Sequence, residues 1–161
     1  MIAYRYAGVP QLRPRHRLTV DYNVSERLQI GFEYNPAVGE VGPRATLVLV
    51  PESSGSPQVH LNTSSDRIGT PKGYQLVSVN VSKTIPGTKL APYGSITYSG
   101  YEKGLVFPFG MNWQVAPHFG VLAMNDGRKS HLLLTYSQER YFVQLGWIWL
   151  KHPSITVGFG F

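Results

Sequence analysis

The 161-residue sequence predicts an all-β protein, a closed antiparallel barrel of about twelve strands built by a single domain over residues 1–161. Three observations lead there. Large apolar residues recur at every second position through most of the chain, the period of a strand with one apolar face. Clusters of Gly, Pro, Asn and Asp interrupt that alternation at short intervals, where turns belong. No run approaches the roughly 18 apolar residues of a transmembrane helix, and nothing helical lies between the strands. An even strand count suits closure, because a ring leaves no unpaired edge and brings both termini to one end.

Residues 2–7 alternate Ile2, Tyr4 and Tyr6 against Ala3, Arg5 and Ala7, and a loop containing Pro10 and Pro14 follows. Over 16–24, Leu18, Val20, Tyr22 and Val24 oppose Arg17, Thr19, Asp21 and Asn23. A tight turn at Ser25-Glu26 leads to Leu28, Ile30, Phe32 and Tyr34 against Gln29, Gly31 and Glu33, the clearest hairpin in the chain. Residues 35–43 read as a Gly/Pro loop, and 44–50 as a strand apolar on both faces, whose register stays open. Further strands are predicted over 58–63, 74–83, 90–101, 105–115, 118–124 and 130–137. Pro108 cannot donate to a ladder and predicts a bulge or strand end. Asn125-Asp126-Gly127 is a strong hairpin-turn signal.

The last hairpin is the most informative. Tyr141, Val143, Leu145, Trp147 and Trp149 alternate, Lys151-His152-Pro153 breaks the pattern, and Ile155, Val157, Phe159 and Phe161 resume it, with Thr156, Gly158 and Gly160 between them. The ending Ile155-x-Val157-x-Phe159-x-Phe161 resembles the C-terminal strand signature of bacterial outer-membrane β-barrels. That resemblance implies a transmembrane barrel in the bacterial cell outer membrane. It also implies partners: barrel assembly machinery acting through the C-terminal strand, outer-membrane lipid and lipopolysaccharide, and other membrane-complex subunits. It specifies an architecture rather than an activity.

Composition agrees. Charged residues are 15% of the chain, well below the roughly 25% of an average soluble domain. Ten Tyr and 17 Gly suit a barrel that spreads its hydrophobicity over alternate positions. The absence of cysteine removes disulfide frameworks and thiolate metal sites. Met1 to Tyr6 lack the basic start and apolar run of a signal peptide, so an exported protein would here be in a mature or trimmed form. The net charge of +6 raises the question of nucleic acid. Apart from Arg13, Arg15 and Arg17 beside His16, however, the basic residues are scattered, and no nucleic-acid-binding motif occurs. Positive charge that favours anionic lipopolysaccharide or acidic ligands is the plainer expectation.

Direction decides between a membrane barrel and a soluble ligand-binding barrel of lipocalin type. The polar face is small, with Gly31, Ser78, Ser95, Thr97, Gly110 and Gly146 among its members, and lacks the long charged side chains of a soluble exterior. Tyr22, Tyr34, Tyr98, Trp113, Tyr136, Tyr141, Trp147 and Trp149 cluster toward strand ends, as a membrane girdle requires. The apolar face is therefore expected to point outward. Counting back from the C-terminus places the turns at Ser25, Ser54, Pro86, Pro117 and Gln138 at one end. The longest connections, near Pro10, Val38 and Arg67, then fall at the other, an asymmetry typical of such barrels.

The expected lumen-lining residues are Arg5, Arg17, Asp21, Glu33, Asn80, Asn112 and Gln114. Paired across neighbouring strands, the first four form either a charged constriction that selects solutes or a salt-bridge ladder that plugs a narrow barrel. Leu122, Met124, Leu133, Phe142 and Ile148 add inward bulk. The residues nearest a hydrolytic site are His131, Ser130, Ser137 and Glu139, but no His-x-Ser pair occurs as in outer-membrane lipid-modifying hydrolases. The five His residues show no metal-site spacing, and no glycine motif suits a phosphate or cofactor. The expected role is non-enzymatic, without metal or cofactor: a structural or assembly subunit, or a narrow passive pore for transport.

Overall fold

The computed structural model describes residues 1–160, so Phe161 of the terminal pattern lies outside the described residues. The strand segments are β1 (Ile2–Ala7), β2 (His16–Asn23), β3 (Leu28–Asn35), β4 (Glu40–Val50), β5 (Gln58–Ser65), β6 (Gln75–Ser82) and β7 (Leu90–Ser99). They continue with β8 (Gly104–Val106), β9 (Phe109–Ala116), β10 (Phe119–Asn125), β11 (Ser130–Ser137), β12 (Tyr141–Ile148) and β13 (His152–Phe159). All pairings are antiparallel, and β1 pairs with β13, which closes the sheet on itself. β8 and β9 share one position in the ring, pairing with opposite ends of β7. Between them Pro108 donates nothing, but its carbonyl accepts the Ser95 amide at 2.8 Å. The result is an all-β closed antiparallel barrel of twelve strands, broken at the proline that the sequence marks.

The large stripe faces out. On β13, Ile155, Val157 and Phe159 are 43%, 45% and 52% exposed, while the alternate residues Ser154 and Gly158 are buried and Thr156 is half-buried. Register carries the stripe round the ring: Tyr4 stands opposite Val157 on one side and Leu18 on the other. Ile30, Phe32, Val77, Val79, Ile96, Phe109, Met111 and Trp113 continue the exposed face. The inside is polar, with Thr19, Asp21, Glu33, Ser78, Thr97, Ser99 and His131 all buried. Of the rim aromatics, Tyr22, Trp113, Tyr136 and Tyr141 lie toward the end that holds Met1 and Gly160, and Tyr34, Tyr98 and Trp147 toward the other.

Three expectations change. The loop over 35–43 is mostly strand: Pro36–Val38 form a single 3-10 turn, Gly39 adopts φ +60°, and β4 begins at Glu40. Pro43 pairs opposite Phe32 on β3, while the β4–β5 register begins only at Ala45, so β4 has an open side at the proline. That connection is consequently short. The turns between β4 and β5 and between β6 and β7 are longer, and the asymmetry between the ends rests on the β1–β2 and β5–β6 loops alone. Trp149 also leaves the outer row. β12 ends at Ile148, and Trp149 and Leu150 turn with φ +57° and +56°, which swings the indole onto the buried cluster of Ala7, Val9 and Ile148.

Small residues on the inner face make room for the large ones. Gly158 stands directly opposite Phe142, and a Cβ on Gly158 would come within 2.1 Å of the Phe142 ring. The ring occupies the space beside the glycine that a second side chain would need. Gly158→Val should therefore destabilise the barrel by about 1–3 kcal/mol, the usual cost of overpacking. Comparing the heat-unfolding midpoints of the two proteins by circular dichroism checks this.

Candidate functional site

An interior bounded by twelve strands is wider than side chains alone fill, since eight strands are roughly the limit for that. Here two loops and a set of long ionic side chains occupy one end, and a cavity of 430 Å³ remains beneath them. The β5–β6 loop crosses the mouth: Ile68 leaves the β5 side and packs against Val9 and Ile148, with Leu133 and Trp149 around them. The β1–β2 loop enters from the side and brings Arg13 under it.

Arg13 is the hub of this cap. Its Nε donates to Glu40 Oε2 at 2.7 Å, both side chains being almost fully buried. Its Nη1 donates to Thr70 Oγ1 at 2.8 Å and to the carbonyls of Asp66, Arg67 and Thr70 at 3.2–3.3 Å. Glu40 also accepts from Asn35 Nδ2 at 3.0 Å and from the Gly73 amide at 2.6 Å, which pins the far end of the same loop. The near end is held by Asp66, which accepts from Ser99 Oγ at 2.6 Å and the Tyr101 amide at 3.0 Å. Outside the strands, Glu102 joins Arg67 of the crossing loop to Arg128 of the β10–β11 turn. The Arg128 guanidinium, with Arg67 beside it, holds the Glu102 carboxyl at about 2.

Below the cap lies a ladder on β1 to β4. Arg44 Nε donates to Asp21 Oδ1 at 3.1 Å, reaching from β4 across β3 to β2. It can do so because Gly31, paired with both, has no side chain; a Cβ there would stand 2.5 Å from Asp21 Oδ1. Glu33, only 1% exposed, lies 3.6 Å from Arg17 and 3.8 Å from Arg44. Arg5 stands directly opposite Arg17 and borders the same cavity.

Four of the expected lumen residues, Arg5, Arg17, Asp21 and Glu33, thus converge on one cavity. The other three lie elsewhere. Asn80 donates to Asn62 Oδ1 at 2.6 Å and to Ser78 Oγ at 3.2 Å, within a polar ladder on β5 to β7. Asn112 and Gln114 line a separate cavity of 460 Å³ at the end that holds the termini, where both are exposed. Gln114 also caps its turn, donating to the carbonyls of Ala116 and Pro117 at 2.6 and 3.2 Å. Met124, Leu133, Phe142 and Ile148 border the first cavity and Leu122 the second. His131 Nε2 faces Asp126 Oδ2 at 3.1 Å, while Ser130 Oγ accepts from Asn125 on the exposed side, so these residues do not assemble around one hydroxyl.

Sequence reasoning missed Arg13, Glu40, Arg44 and Asp66. For Glu40 and Arg44 a signal existed: admitting Pro43 to an edge-like position gives Glu40, Gly42 and Arg44 against Val41, Pro43 and Ala45, a clean period of two. Arg13 and Asp66 sit in loops, where no period points them inward. Compared with models of protein families and with curated protein sequences, the chain matches none.

The cap should respond to acid. Because Glu102 titrates at about 2 in the fold against an ordinary 4.5, its contribution is complete above about pH 4.5 and is lost as pH falls toward 2. Acid-protease cleavage within residues 66–74 should accelerate across that range, and their amide protection factors, corrected for the intrinsic pH dependence of exchange, should fall. Glu102→Gln should raise the opening rate at neutral pH and reduce the acid step, since Asp66 and Glu40 still hold the loop.

Proposed function

We propose that the chain is a bacterial outer-membrane β-barrel without enzymatic activity, acting as a structural or assembly subunit rather than an open pore. The observation that carries the membrane reading is the continuous exposed apolar stripe on the outside of a barrel whose inside is polar. Soluble monomers seldom expose contiguous apolar patches beyond a few hundred Å². A lipocalin-type soluble barrel would need the opposite direction, with the large apolar face lining its cavity. Thickness is compatible. Eight-residue strands such as β12 and β13 rise about 3.4 Å per residue and, tilted by roughly 40°, span about 20 Å. That is near the roughly 25 Å apolar band of outer-membrane barrels, in a membrane thinner than most.

The cap supports the structural role over the pore. Arg13, Glu40 and the β5–β6 loop obstruct one end with buried groups bonded to one another, so an ion path would require breaking those bonds. A charged constriction at Arg5, Arg17, Asp21 and Glu33 is the alternative use of the lumen, favoured by the cavity beneath the cap. The outer surface would meet outer-membrane lipid and lipopolysaccharide, the C-terminal strand would engage assembly machinery, and other membrane-complex subunits would dock on the exterior.

Two measurements test this. The protein should require detergent for purification and show a heat-modifiable gel shift; a monodisperse water-soluble particle would overturn the membrane reading. In planar bilayers the wild-type protein should be electrically silent, and Arg13→Ala should introduce unitary steps by loosening the cap. Clear steps from the wild type would replace the structural role with the pore.

A further inference from the structure

We propose that Arg5 and Arg17 form a lumen site for a small oxyanion, a carboxylate or a phosphate. The two residues are directly opposed on β1 and β2, and both border the 430 Å³ cavity. Like charges directly opposite one another on a sheet are destabilising unless something neutralises them. Within the chain the neutralisation is incomplete. Glu33 sits 3.6 Å from Arg17 but is shared with Arg44 at 3.8 Å. Among the described residues no carboxylate lies within 4.0 Å of Arg5, whose guanidinium makes one hydrogen bond, from Nη2 to the Pro14 carbonyl at 3.3 Å.

The chemistry left over is specific. The Nε–H groups of both arginines are buried and meet no acceptor in the protein. A guanidinium presents its Nε and Nη hydrogens as a planar fork that matches two oxygens of a carboxylate or phosphate. One oxyanion between the opposed forks takes up both unpartnered donors and removes the repulsion between β1 and β2. Thr156, opposite Arg5 on β13, also borders the cavity and offers a hydroxyl donor. Arg44 engages Asp21 through Oδ1 alone at 3.1 Å; Asp21 Oδ2 and Glu33 Oε2 are buried without a hydrogen-bond partner, so the oxyanion has to sit on the arginine side of the cavity. The site depends on the inward direction of the polar face and not on what surrounds the barrel, so it stands apart from the membrane reading.

The test is a titration of the refolded protein in phosphate-free nonionic detergent, or in buffer if it proves water-soluble. Inorganic phosphate and succinate are compared with chloride at constant ionic strength, reading calorimetric affinity and the heat-unfolding midpoint. The expected result is saturable binding and a higher midpoint with phosphate or succinate than with chloride. Arg5→Gln should weaken binding by about tenfold or more, the scale of one charge-assisted hydrogen bond, while keeping the β-sheet circular dichroism of the wild type. Arg5→Lys keeps the charge without the fork and should fall between them, and it decides the matter if Arg5→Gln does not fold. Wild-type behaviour indistinguishable from chloride would overturn the proposal, as would undiminished binding in both variants. A stabilisation seen only when phosphatidylglycerol is added to the micelle, and not with free phosphate, would assign the phosphate to a lipid headgroup outside the lumen and also overturn it.

Discussion

Twelve strands joined in a ring enclose more room than their inward side chains can occupy, and most of the interior follows from that geometry. An apolar filling would need many large residues on the inner face, yet the buried apolar residues are few and mostly small: Ala3, Ala7, Val9, Val106 and Ile148. The space is taken instead by arginines, whose long stems reach far from the wall, and by the two loops folded over one mouth. Phe142 lying over Gly158 is the same solution in aromatic form.

Filling an interior with charge has a cost that the chain meets by pairing. Removing an ion from water costs several kcal/mol, repaid only where geometry and further hydrogen bonds are good. Glu40 shows the favourable case, accepting from Arg13, Asn35 and the Gly73 amide. Arg5 shows the other, with one carbonyl contact and a like charge opposite. The polar interior is therefore uneven. Arg13 and Glu40 are well bonded, whereas Arg5 Nε and Arg17 Nε and, in the cap itself, Arg67 Nε and Trp149 Nε1 are buried without a hydrogen-bond partner.

The wall of the barrel was legible in the sequence because a strand with one apolar face writes its direction into every second residue. Tyr4, Val20, Phe32, Val79 and Trp113 could be placed that way, and Arg5, Arg17, Asp21 and Glu33 followed as their inward neighbours. The strand through Pro43 was not, since proline at a paired position resembles a loop until its partner Phe32 is known. Trp149 misled for the opposite reason: it continues the alternation, while the backbone turns away beneath it. The cap was beyond reach. Arg13 meets Asp66, Arg67 and Thr70 through contacts more than fifty residues apart in the chain, which no local period encodes.

The pairing of β1 with β13 joins the two ends of the chain. Each hairpin can form from neighbours, but the seam joins the first segment to the last, the longest loop closure in the chain. Until it zips, two strands with apolar outer faces present bare amide edges, the arrangement most prone to recruiting a strand from another molecule. Arg5 and Thr156 come to face each other only at that moment. The seam is thus the pairing with the greatest loop-closure cost, and its two strands are the ones that carry bare edges whenever the ring is open.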